Sequence, residues 1–120
     1  MRAAGFGFRA AATVESLADA LERAGGSVDR VATAADKADA PAFRTLARDL
    51  GLPVLGIAQD RLARESTLTH SARVADRFGT GSLAEAAALA AAGPGARLLG
   101  PRVVSSDGLA TAAIAERTDA

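Results

Sequence analysis

The sequence predicts an α/β fold: a mixed, mostly parallel sheet of five strands, flanked by helices and ending in an antiparallel hairpin. Three observations carry this. Through residue 58, short apolar runs alternate with stretches of helical period. A capped, alanine-rich helical stretch follows a Gly-Thr-Gly interruption. The last quarter then changes to two apolar or alternating runs joined by Ser106-Asp107-Gly108. A β-α-β-α-β alternation is most economically parallel, with right-handed crossovers. Asp-Gly between two such runs is a strong hairpin signal.

The first strand is read over residues 3–8. Phe6 and Phe8 are two apart and share one face, leaving Gly5 and Gly7 on the other. Glycine within a strand marks the close approach of another backbone or of a ligand. From Thr13 the period changes. Val14, Leu17, Ala18, Leu21 and Ala24 form one helical stripe, with Thr13 as its cap, Glu15 suited to the positive end of the dipole, and Gly25-Gly26 as its stop.

A second strand is expected over residues 28–34, supported by Val28, Val31 and Thr33. After a polar loop, Asp39 is expected to cap a helix with Pro41 in its first turn and Phe43, Leu46, Ala47 and Leu50 on its buried stripe. Gly51 and Pro53 end it. Residues 53–58 form a continuous apolar run, as in a strand covered on both faces. Residues 59–65 form a short helix and 71–78 another. Ser82-Leu83-Ala84-Glu85 is a capping box that opens a helix through Ala92, which Gly93-Pro94-Gly95 ends. In the final pair, residues 96–105 and 109–116, Pro101 places the first strand at an edge or kinks it.

Composition narrows the function. At 120 residues the chain is read as one domain, 1–120, able to bury roughly two thirds of its unfolded surface. Its formal net charge is zero, so no overall field draws it to nucleic acid or an anionic membrane. Trp and Tyr are absent, which removes the stacking platforms of single-strand binders. The absence of Cys excludes disulfides and thiol chemistry, and a reducing cytoplasm is the expected compartment. No apolar run approaches the ~20 residues of a membrane span, and the start is a poor signal peptide. Neither a metal nor a cofactor is expected: the one histidine, His70, has no Cys or second His beside it, and is read as exposed.

The candidate chemistry gathers at one sheet edge. Arg9 directly follows the first strand, at the carboxyl edge where parallel sheets bind ligands, and Thr13 opens the helix behind it. The planar guanidinium fork of Arg9 suits a carboxylate. Lys37, after the second strand, reaches the same edge. Gly79-Thr80-Gly81-Ser82 reads either as a helix–helix turn with a good cap or as a small backbone nest for a carboxylate or phosphate. The letter pattern of a dinucleotide fingerprint occurs there and at Gly5-Phe6-Gly7-Phe8-Arg9-Ala10, but neither has the strand–turn–helix context that gives it meaning. Arg73 and Arg77 are read as a solvated face, and Ser105, Ser106 and Asp107 as turn residues.

The ordered motifs add a resemblance that spans nearly the whole chain. Gly5-Phe6-Gly7-Phe8-Arg9 comes first, then Thr33-Ala34-Ala35-Asp36-Lys37-Ala38-Asp39, then Gly79-Thr80-Gly81-Ser82-Leu83-Ala84-Glu85. Leu99-Gly100-Pro101-Arg102 and Asp107-Gly108-Leu109-Ala110-Thr111-Ala112 complete the set. Together they resemble the CobE/CbiG C-terminal-domain family of cobalamin biosynthesis. The resemblance implies a three-layer α/β/α sandwich and a part in the corrin-ring steps of vitamin B12 synthesis. In the longer CbiG-type proteins this domain is the C-terminal part of a hydrolase that opens a lactone on the cobalt-precorrin ring. Here it is read as standing alone, as in CobE, binding or handing over a precorrin or hydrogenobyrinic-acid-type intermediate. Two alternatives are cobalt-precorrin-5A hydrolase-type activity and a module that docks on another pathway enzyme. Corrinoids of this kind are fringed with acetates and propionates, which Arg9, Thr13, Lys37, Gly79, Thr80, Gly81, Ser82 and Arg102 would hold.

Overall fold

The sheet is built outward from β1 (Arg2–Phe8), whose alternation sorts its side chains to two faces. Ala4 and Phe6 pack on one side with Leu17, Leu21, Phe43 and Leu46, and Ala3 packs on the other with Ala87, Ala88 and Leu62. In the computed structural model, which describes residues 1–118, the remaining strands are β2 (Arg30–Ala34), β3 (Val54–Ile57), β4 (Arg97–Leu98), β5 (Val103–Val104) and β6 (Ala110–Glu116). The helices are α1 (Val14–Ala24), α2 (Pro41–Leu50), α3 (Gln59–Ala63), α4 (Ala72–Phe78) and α5 (Leu83–Ala92), with a single 3-10 turn at Ala35–Lys37. Helices α1 and α2 cover one face of the sheet and α5 the other, giving the three layers.

The strand order is β3-β2-β1-β6-β4, with β5 also on β6. Strands β1, β2 and β3 are parallel neighbours, as the alternation predicts. The C-terminal strand β6 lies antiparallel along the whole of β1, from Arg2 opposite Glu116 to Phe8 opposite Ala110. The sheet is therefore mixed, as expected, but among the described residues it has six strands, of whose pairings two are parallel and three antiparallel. The extra strand arises because the run 96–105 is split. Leu99 N–H still donates to Ile114 C=O, but Pro101 has no N–H and Arg102 N–H turns away to a carboxylate. Strands β4 and β5 therefore follow one another along the free side of β6.

Three local expectations are corrected. Strand β3 meets both cores, Val54 on the α1/α2 side and Leu55 and Ile57 on the α5 side, but its cover is incomplete. It is an edge strand with Gly56 exposed and Val54 and Leu55 half-buried, because β2 is its one neighbour. Asp39 does not cap α2: the cap position is Ala40, without a side-chain bond, and Asp39 pairs instead with Arg44. Leu50, at the last turn of α2, is exposed rather than on the buried stripe.

Helix α5 is apolar around nearly its whole circumference, and Leu83, Ala84, Glu85, Ala86, Ala87, Ala88, Ala91 and Ala92 are all buried. Such a helix belongs inside a protein. Its alanines let its backbone lie directly on β1. A Cβ placed on Gly5 would stand 2.0 Å from Ala84 O and 2.4 Å from Ala88 N. The close approach predicted from the strand glycines is therefore that of another backbone.

Candidate functional site

At the carboxyl ends of β1 and β2 the chain opens into a cleft of about 720 Å³, within the range of about 300–1,000 Å³ usual for small-molecule sites. Strand β1 brings Phe8 and Arg9 to it, and the 3-10 turn after β2 brings Asp36 and Lys37. Helix α4 supplies Arg73, Val74, Arg77 and Phe78, and α5 supplies Leu83 at its first position. Arg102, Val104 and the hairpin residues Leu109, Ala110 and Thr111 close the far side. One wall is thus largely apolar. Five cationic side chains stand around it: Arg9, Lys37, Arg73, Arg77 and Arg102. Among the described lining residues, Asp36 is the one carboxylate.

Arg9 is exposed, and its backbone N–H donates to Leu109 C=O at 2.9 Å, which fixes the strand end against the hairpin. Lys37 is half-buried. Its ammonium donates to Phe8 C=O and lies 4.6 Å from the centre of the Phe8 ring, a cation–π arrangement. Phe8 is stacked on Phe43 at 5.7 Å, which ties this corner of the cleft to the core. Burial pushes the Lys37 pKa below its ordinary value, and the positive charge of Arg77 pushes the same way, with Asp36 opposing and Arg73 adding a smaller push downward. Asp36 is held across the cleft by Arg77 at 3.7 Å. Among the described residues, the side chains of Arg9, Arg73 and Arg102 make no ion pair, so their donors are available to a ligand.

The structure brings Arg9 and Lys37 together, as their places at strand ends anticipate, and joins to them Arg102, which the resemblance put in the same set. It adds Arg73 and Arg77, which the sequence places on a solvated face. They are solvent-exposed, but that exposed face of α4 is also a wall of the cleft. Their spacing of one helical turn was the available signal. What the sequence could not show is that α4 folds back beside the β2 end.

Thr13 does not line the cleft. It caps α1, with its hydroxyl accepting from Ser16 N–H at 3.2 Å while Ser16 Oγ accepts from Thr13 N–H at 3.1 Å. Gly79, Thr80, Gly81 and Ser82 lie behind the wall, between the lining residues Phe78 and Leu83. Gly79 takes a left-handed conformation (φ 71°) to end α4, and Ser82 is fully buried, capping α5 through Glu85 N–H at 3.3 Å. Gly81 packs so tightly that a Cβ would stand 2.6 Å from Thr69 O and 2.7 Å from His70 Nδ1. The stretch is the helix–helix turn of the two readings offered by its sequence.

A family model described as "Cobalamin synthesis G C-terminus" matches residues 3–115. The chain belongs to this family. Two solved structures agree. One is of CobE, a protein from the cobalamin (vitamin B12) biosynthetic pathway. It is 34% identical, with 98% of this chain and 91% of that chain covered and a TM-score of 0.83. The other is of the cobalamin biosynthesis protein chiG from Agrobacterium tumefaciens str. C58. It is 36% identical, with 99% of this chain and 100% of that chain covered and a TM-score of 0.74. A comparison with curated protein sequences gave no match. As a member of the family, the chain is a protein of cobalamin biosynthesis, as its motifs anticipate. No helix among its described residues is long and apolar enough to cross a membrane. The family match covers every element that builds the cleft, from β1 through most of β6.

Proposed function

We propose that this chain binds a corrin-ring intermediate of vitamin B12 synthesis in the cleft and holds it for transfer to another enzyme of the pathway. The observation that carries this is the charge pattern: five cations and one carboxylate around an apolar wall, in a chain whose net charge is zero. Such a local excess selects a polyanion that also has an apolar face. A precorrin or hydrogenobyrinic-acid-type macrocycle has both, a broad ring and a fringe of ionised acetates and propionates. The guanidinium groups of Arg9, Arg73 and Arg102 offer paired donors to carboxylates, and Lys37 offers a point charge. Phe8, Val74 and Leu83 offer the ring edge a dry surface. Residues 1–120 act here as one domain, in the cytoplasm, with the pathway's enzymes as its further partners.

The test uses purified protein at micromolar concentration with hydrogenobyrinic acid. The pigment is expected to shift its visible spectrum and to travel with the protein through gel filtration. Pigment that elutes free contradicts the reading. A chemically altered ring when cobalt-precorrin-5A is supplied assigns the hydrolase-type activity instead. Co-elution with a pathway methyltransferase, without pigment and unchanged by Arg9→Ala, assigns a docking role.

A further inference from the structure

Glu85 does not do what its motif predicts. In a capping box the residue three after the Ser reaches back to the cap N–H. Here the Glu85 side chain is fully buried and points elsewhere. Its Oε1 accepts from the backbone N–H groups of Leu68 at 2.5 Å and Thr69 at 3.0 Å. Its Oε2 accepts from Thr69 Oγ1 at 2.5 Å and from Arg102 N–H at 2.8 Å. Four accepted bonds fill the capacity of a carboxylate, and each donor is neutral.

The donors belong to two segments distant in sequence. One is the stretch before Ser71, which caps α4 and so leads into Arg73 and Arg77. It is seated by Ser71 N–H donating to Gly81 C=O at 2.7 Å. The other is Arg102, where the strand pairing of the chain is interrupted. Both segments present cations to the cleft. A buried charge is costly to desolvate, and a capping role alone is served equally by Gln. An amide in this place would accept at one atom only and would turn two donors of its own toward N–H groups. The site thus requires the anion, and the anion joins the two cationic walls.

We infer that Glu85 is a positioning residue of the cleft: its carboxylate sets the spacing between Arg102 and the α4 cations and through it the affinity for a polycarboxylate ligand. The affinity half rests on the function proposed above. The experiment titrates hydrogenobyrinic acid into the parent, Glu85→Gln, Arg102→Ala and the double variant, well below each thermal midpoint. Glu85→Gln is expected to weaken binding about tenfold in the parent and far less in the Arg102→Ala background, since residues acting through one another are non-additive. Equal affinity for Glu85→Gln and the parent, with only a lower midpoint, overturns the inference and leaves the cleft reading standing. Additive losses overturn it as well. If Glu85→Gln does not fold, Thr69→Val removes one of the four bonds and keeps the charge. It is expected to weaken binding by a few-fold, and parent-like affinity counts against the inference. No binding by the parent removes the cleft reading and the affinity half with it. The clamp is then judged by hydrogen exchange. Glu85→Gln must accelerate exchange at both 68–71 and 100–104 while β1 stays protected, and acceleration at only one segment refutes it.

Discussion

At Arg9 a single side chain carries both a structural fact and a chemical one. Its N–H pins the end of β1 to the hairpin, while its guanidinium is left to the cleft. Arg9→Ala is expected to weaken hydrogenobyrinic acid binding by about 1.5–3 kcal/mol, the range for a charge-assisted hydrogen bond, and to leave the thermal midpoint nearly unchanged. Arg9→Lys should rescue only part, because the bidentate fork is lost. Spectroscopic titration of the three proteins checks both. Ser82→Ala should behave oppositely. It removes a buried cap and should cost roughly 0.5–2 kcal/mol of stability in a denaturant melt, with the cleft cations left in place. Lys37 gives a pH signature. Its folded pKa lies below the ordinary 10.5, so between those two values the unfolded chain binds more protons and the free protein gains stability as pH rises. A bound carboxylate favours the charged ammonium, so ligand affinity should be highest below the lowered pKa and fall as pH rises through it. Lys37→Met should flatten both slopes, read as midpoint and Kd against pH. Arg9 and Lys37 were legible in the sequence because strand ends of a parallel sheet converge on one edge, whereas Arg102 came into the set only through the family resemblance. The direction of the Glu85 carboxylate was not, since Ser-x-x-Glu reads alike whether the Glu turns back to the cap or out to a neighbouring loop.

At the scale of elements, the β1–α5 contact decides the packing. Gly5 has no space for a Cβ, and the atoms in the way are backbone, which cannot rotate aside. Gly5→Ala should therefore cost at least the upper end of the usual 1–3 kcal/mol for overpacking, measured by denaturant unfolding. A loss below 1 kcal/mol would show that α5 can move off the sheet. The periodicities of α1 and α2, the cap that opens α5 and the hairpin turn were all legible, because an amphipathic stripe, a cap and an Asp-Gly turn are local. The Asp107 carboxylate serves that turn as anticipated, accepting from Ser105 Oγ at 2.6 Å and Leu109 N–H at 3.0 Å. Where position in the sheet mattered, local pattern fell short. Residues 53–58 are apolar enough for a central strand, yet β3 closes an edge, because the crossover to β6 places the later strands beside β1 instead. Leu50 has helical spacing with Phe43 and Leu46 but lies past the end of the covered surface.

At the scale of the molecule, the fold gathers charge that the composition hides. The net charge of zero gives no hint of a polyanion site. The sheet edge, the returning helix α4 and the split strand pairing together concentrate five cations in one cleft. Of these, Arg73 and Arg77 became visible as lining residues only when α4 was placed in space. On this reading the cation cluster, and not the apolar wall alone, holds the ligand. The most direct measurement is the Kd for hydrogenobyrinic acid of the parent and of the Arg73→Ala/Arg77→Ala double variant, each at low and at high salt. The parent is expected to lose affinity steeply as salt rises. The double variant is expected to bind at least about tenfold more weakly at low salt, equivalent to about 1.4 kcal/mol, with a shallower salt slope. Equal affinities and equal slopes in the two proteins would contradict this reading.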